Sequence, residues 1–488
     1  MQNNKIDNLK IKIAYNTVVQ IVSKIIATVL GLLVIAMITR YLGVEGFGYY
    51  TTIITFLSFF GIISDLGLTL VTAQMISKDN QESANNKILN NLLGLRLISA
   101  LIFLGLAPLV VIFFPYEPIV KTGIIITTLS FLFIALNQIL VGLFQKKLKM
   151  DRVAWAEIIS RVVLLLATIL AIKLNFGLLG IMSAMVISSF ASFVLHFLFA
   201  KKFIKLKLSF DFNIWKNIIQ KTWPLALTIF FNLIYLKSDI LILSLIKTQS
   251  EVGFYGAPYR IVDVLITVPF MFAGIILPIL TNSWAEKNKD YFKKVLQKSF
   301  DFMIILAIPL VVGTQFVAKE IMIMIAGNSF AVSGPILQVL IIASGLIFIA
   351  CLPAHAIIAM EQNKKMIKIY AGVGITALIG YFVFIPIFSY WGAVWVTIYS
   401  ELMIAIFSIY YVWKFSGFLL NLRVTKLALI SSFGMGLCLF LIPDLFYQSR
   451  LYLILILIFA SSLYFLVFWF LGGFKENEKL ILERLKLN

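Results

Sequence analysis

FNLIYLKSDILILSLIKTQSEVGFYGAPYRIVD, residues Phe231 to Asp263, places Lys237, Asp239, Arg260 and Asp263 in runs otherwise apolar enough to sit in lipid. A charge at the centre of a membrane helix costs at least about 2.5 kcal/mol, so such residues face a cavity or a partner. The second part, EVGFYGAPYRIVD, echoes EGFGYYTTI (Glu45 to Ile53) about 205 residues earlier. A motif that returns half a chain later predicts a duplicated membrane architecture, as transporters use.

The composition agrees. Of 488 residues 61% are hydrophobic and 13% charged, and the mean hydropathy is +1.00. Soluble chains carry about twice that charge, so the chain reads as an all-α integral membrane protein. The net charge of +19 does not indicate nucleic acid, because the basic residues form no stripe with interleaved aromatics. They cluster at the ends of apolar segments, where they act as orientation signals. Cys351 and Cys438 both lie in apolar runs, offering neither a disulfide framework nor a metal cluster. The first apolar segment is too long for a signal-peptide core and contains Asn16, Gln20 and Lys24.

Apolar runs long enough to cross a bilayer recur about 14 times, from residues 13–38 to 451–473. Lys and Arg cluster at every second connection, as in Lys146, Lys147 and Lys149, or Lys293, Lys294 and Lys298. The alternation predicts an even number of helices with both termini in the cytoplasm. Residues 201–222 read as a basic amphipathic linker lying on anionic lipid. It divides an N-terminal lobe (1–200, helices 1–6) from a C-terminal lobe (223–416, helices 7–12). Residues 417–488 add helices 13 and 14 and a cytoplasmic tail. No GxxxxGK[ST] run is present to hold nucleotide phosphates, and no cofactor is indicated.

Other pairs keep a similar offset. FGLLGIMSAMV (Phe176 to Val186) parallels WGAVWVTIYSE (Trp391 to Glu401), and FQKKLKM (Phe144 to Met150) parallels MEQNKKM (Met360 to Met366). Together with RYLGVEGFGYYTTI (Arg40 to Ile53) and SGPILQVLIIAS (Ser333 to Ser344), these stretches make the chain resemble the bacterial oligosaccharide flippases. Those are the polysaccharide-biosynthesis exporters of the multidrug/oligosaccharidyl-lipid/polysaccharide superfamily. The resemblance runs over essentially the whole chain. It implies two six-helix lobes around a central cavity in a bacterial or archaeal cytoplasmic membrane. It also implies alternating access moving a lipid-linked oligosaccharide for cell-surface polysaccharide synthesis, alongside glycan polymerase and glycosyltransferases. No enzymatic role is implied.

The span charges supply candidate sites. Lys24, Arg96, Lys237 and Arg260 are the candidate ligands for the phosphate of a polyprenol carrier, since buried Arg and Lys suit that anion. Lys24 leads, because its own helix offers no acid to neutralise it. Glu157 and Arg161, four apart with the acid first, form a favoured helical pair and read as structural. Arg260 and Asp263 either pair with each other or serve the cavity. Lys237 and Asp239 lie two apart and cannot share a face, and Asp239, on the face of Asn232, points inward.

Asp65, Asp239, Asp263 and Glu401 either couple transport to a proton or sodium ion or balance the buried cations. The hydroxyls of helix 2, from Thr51 to Thr72, serve either helix packing or a wet cavity. In the resembling lipid II flippases, basic residues on helices 1, 2 and 8 line the cavity. Lys24 and Arg260 fit helices 1 and 8, but helix 2 carries Asp65 instead, which favours another lipid-linked glycan. A multidrug exporter is the rival reading, against which the extra helix pair and the buried cations both count.

Overall fold

In a computed structural model the described residues are 2–69, 72, 82–204, 207–447 and 449–474. Among them there is no strand. One long helical stretch, Gln2–Asp65, breaks at Gly43 (φ 66°, ψ −172°) into α1 (residues 2–42) and α2 (44–65). Only glycine enters that backbone region without strain. There follow α3 (Glu82–Val110), α4 (Pro118–Lys146), α5 (Met150–Lys173), α6 (Gly177–Lys201) and α7 (Phe212–Ile246). Next come α8 (Gln249–Leu265), α9 (Thr267–Ala285), α10 (Lys289–Ala326), α11 (Ser333–Ala359) and α12 (Asn363–Phe388). The chain closes with α13 (Tyr390–Ser416), α14 (Arg423–Leu441), the single turn α15 (Asp444–Tyr447) and α16 (Arg450–Phe470).

Thirteen of these stretches are long and apolar enough to cross a membrane, with α1 and α2 counted as one and α8 with α9 as another. Resolving the Gly43 break gives the 14 crossings expected from the apolar runs. The eighth segment is interrupted after Leu265, four residues before Pro269. Proline has no N–H to donate to the Leu265 carbonyl, so the helix stops there.

The chain divides into two compact units, Met1–Gly253 and Phe254–Asn488. In the first unit α1 and α2 pack on α3 to α7, and α4 and α5 both pack on α6. A core of Leu89, Leu92, Ile139, Phe144, Trp215 and Ile218 ties α3, α4 and α7 together. In the second unit α11 is buried on most sides, between α9, α10 and α13. A helix apolar all round is one packed all round. The added helices α14 and α16 sit on α10, where Tyr464 donates to the Ile305 carbonyl at 3.0 Å.

The division after Gly253 falls later than the 222/223 boundary read from the sequence, because α7 packs within the first unit. The buried Tyr116 hydroxyl lies 2.8 Å from Ser244 Oγ of α7, and burial pushes that phenol up to about 12. The linker also differs from expectation. Residues 207–210 are non-helical, with the Lys207 and Asp211 N–H groups donating to the side-chain oxygens of Asn90 and Asn91. Asp211 then caps α7, accepting from Asn213 N and Ile214 N. Trp215 and Ile218 turn into the core, while Leu208, Phe210, Phe212 and Ile219 stay exposed. Lys205 and Leu206 lie outside the described residues.

Candidate functional site

In the first unit α1 and α5 run side by side and meet at three levels. At the bottom Met150 N donates to Asn16 Oδ1 at 2.7 Å. Two turns up, Lys24 Nζ lies 3.3 Å from Glu157 Oε1, both side chains half-exposed. One turn further along α5 the Arg161 guanidinium reaches Gly31, its Nη1 4.0 Å from where a Cβ would stand. The partner of Lys24 therefore comes from another helix. The expected Glu157–Arg161 pair gives way to Glu157–Lys24, and Arg161 has no ion pair or hydrogen bond to any described residue. The three side chains carry a net single positive charge. Sequence spacing concealed Arg161, because a helical i, i+4 neighbour looked sufficient; only the absence of an acid near Lys24 hinted that Glu157 was contested.

Arg96 and Asp65 pair with each other. Arg96 is 1% exposed, with Nη1 2.8 Å from Asp65 Oδ1 and Nε donating to the Ala135 carbonyl at 3.1 Å. Its Nη2 donates to Gln138 Oε1, which also accepts from Thr69 Oγ1. A guanidinium so enclosed balances the charge of Asp65. On α2, Thr51 and Thr55 are likewise buried, and Ser58 donates to the Ile54 carbonyl at 2.7 Å.

On α7, Lys237 is half-buried while Asp239 is fully buried, its Oδ1 accepting from Ile240 N at 2.7 Å. Asp239 is thus enclosed by protein. In the second unit Arg260 Nη1 lies 3.6 Å from Asp263 Oδ2, so the two do pair along α8. Glu401 stands apart. It is 2% exposed on α13, its Oε1 accepts no hydrogen bond, and no ion pair with a described residue offsets it. Tyr370 of α12 and Cys351 of α11 are close enough to interact with it electrostatically. Cys351 in turn gives its carbonyl to His355 Nδ1 at 2.7 Å. His196 is held in the same way by the Ser192 carbonyl, at 2.8 Å.

Residues 13–284, more than half of the chain, match the family described as polysaccharide biosynthesis protein. The chain belongs to that family. No curated sequence matches it significantly. Among solved structures it is similar to the lipid II flippase MurJ in an inward closed conformation, with a TM-score of 0.75 at 15% identity over 94% of this chain and 99% of that one. An inward-facing multidrug resistance MATE transporter of the MOP superfamily gives 0.65 at 15% identity, covering 82% and 98%. A MOP superfamily transporter from Pyrococcus furiosus gives 0.58 at 13% identity, covering 82% and 95%. The fold of this polysaccharide biosynthesis protein is therefore that of the MOP transporters and flippases.

Proposed function

We propose that this protein flips a lipid-linked oligosaccharide, carried on undecaprenyl phosphate or diphosphate, across the cytoplasmic membrane by alternating access. Its glycan would feed cell-surface polysaccharide synthesis, with both termini cytoplasmic. The observation that carries the reading is Arg161, a guanidinium at membrane depth without an ion-pair or hydrogen-bond partner among the described residues, one turn from the half-exposed Lys24–Glu157 pair. Family membership supplies the glycan, and a lone guanidinium supplies the natural ligand for its phosphate. Lys24 completes the site by exchanging Glu157 for the substrate. Lys237 and Arg260 remain in the phosphate set. Glu401, with no cation paired to it among the described residues, takes a proton or sodium ion as the coupling group, and Asp239 and Asp263 belong to the same set.

Lipid II is the second reading. The MurJ likeness spans 94% of the chain against 82% for the multidrug transporters, a difference that accommodates the two added helices. Proteoliposomes separate the readings. A fluorescent polyprenyl-diphosphate oligosaccharide should cross faster than in protein-free vesicles, and Arg161→Ala should remove the gain. Equal crossing of lipid II would favour the second reading, and failure of both substrates would refute the flippase.

A further inference from the structure

The second unit contains a cavity of about 570 Å³ where α10 ends and α16 begins. Its polar lining is Lys319, Glu320, Asn328 and Arg450, and its apolar lining includes Ile323 and Leu453. Lys319, Glu320 and Arg450 make no ion pair or hydrogen bond with any described residue, although they share this one cavity. Tyr447, also in the wall, has its hydroxyl committed to the Leu439 carbonyl at 2.6 Å.

The cavity's depth follows from the sequence. Between Lys298 and Lys319, α10 carries no basic residue over about 20 positions, a rise of about 30 Å. That distance matches the hydrocarbon thickness of a bilayer. Lys319 therefore sits at the interface opposite the Lys293–Lys298 cluster. Arg450 sits at the same level, because α16 continues from it through residues 451–470 without a charge. Two cations at headgroup height above apolar side chains suit one kind of ligand. Its phosphate lies between Lys319 and Arg450, its hydroxyls reach Glu320 and Asn328, and its chains leave along Ile323 and Leu453.

We propose that this cavity binds a lipid-borne phosphodiester with a hydroxylated headgroup. The site is independent of the flippase reading and its test needs no transport. The delipidated full chain in detergent is titrated by native mass spectrometry with phosphatidylglycerol, and with diacylglycerol of the same chains. Phosphatidylglycerol should bind about tenfold more tightly, the scale of one or two charge-assisted contacts. Lys319→Gln with Arg450→Gln should erase that preference, while Arg450→Lys should keep most of it. Should the double variant unfold, either single substitution should still reduce the preference severalfold. Equal binding of the two lipids, or a preference that survives in the double variant, overturns the proposal. So does displacement by inorganic phosphate at matching concentration, which would assign the site to the free anion. A polyprenyl phosphate, a monoester without headgroup hydroxyls, that outcompetes phosphatidylglycerol would overturn the phosphodiester assignment.

Discussion

Gly48 lies against the carbonyl of Gln249, and Gly253, about 205 residues further on, lies against the carbonyl of Val44. Each glycine thus meets the residue four before its counterpart, so the two contacts are reciprocal within the first unit. Thr52 Oγ1 adds a hydrogen bond to Gln249 Oε1 at 2.8 Å. The sequence echo that first suggested duplication is a physical contact.

A Cβ at Gly48 would stand 1.8 Å from the Gln249 oxygen, and one at Gly253 2.0 Å from the Val44 oxygen. Backbone cannot yield as a side-chain tip does. Gly48→Ala and Gly253→Ala should each cost about 1–3 kcal/mol in stability, whereas Gly105→Ala, facing open space, should cost nothing. Thermal unfolding in detergent compares the three.

Breaking the Arg96–Asp65 pair from one side leaves a buried charge alone. Arg96→Ala or Asp65→Ala should lose about 3–5 kcal/mol, and the double change Arg96→Met with Asp65→Leu should recover much of it. Unfolding midpoints of the three variants measure the coupling. A phosphate ligand at Arg96 would instead spare stability and abolish transport.

Lys24, Glu157 and Arg161 should separate by function. Arg161→Ala and Lys24→Ala should each slow translocation at least tenfold with little change in stability, as loss of a charged contact to the substrate would. Glu157→Gln, which frees Lys24, should retain or raise substrate affinity. Initial rates in proteoliposomes, with substrate concentration varied, distinguish these outcomes. Arg260→Ala, which frees Asp263, belongs in the same series.

Glu401→Gln keeps the shape of the buried side chain and removes its ionisable oxygen. The variant should be at least as stable as the parent, because an unpaired buried carboxylate is costly. Its transport should no longer respond to an imposed proton or sodium gradient. Rates measured with and without each gradient decide the point.

Asp211 offers a test of the linker. The Ile214 N–H, followed by Lys87 and the Asn213 N–H, holds its carboxyl below the ordinary carboxylate value. The proton therefore binds the unfolded chain more tightly. The cap's contribution is complete above the unfolded value and disappears as pH falls through the folded one. Parent and Asp211→Asn should differ in unfolding temperature at pH 6 and converge as pH drops below about 4.

Much of the fold was legible in the sequence because lipid imposes one-dimensional rules. Every backbone group must bond within its own helix, so length, apolarity and the placement of Lys and Arg fix the number of crossings. The choice of ionic partners is of another kind. Glu157 sits one turn from Arg161 yet pairs with Lys24, and Arg96 takes Asp65, because helix packing decided which charges met. Trp215 and Ile218 of the linker likewise packed on α3 and α4. Sequence alone determined an even-numbered bundle of membrane helices with a duplicated motif. Tertiary structure decided that Arg96 meets Asp65 and Lys24 meets Glu157, while Arg161 meets no acid among the described residues, because Coulomb energy depends on distances that chain spacing does not encode.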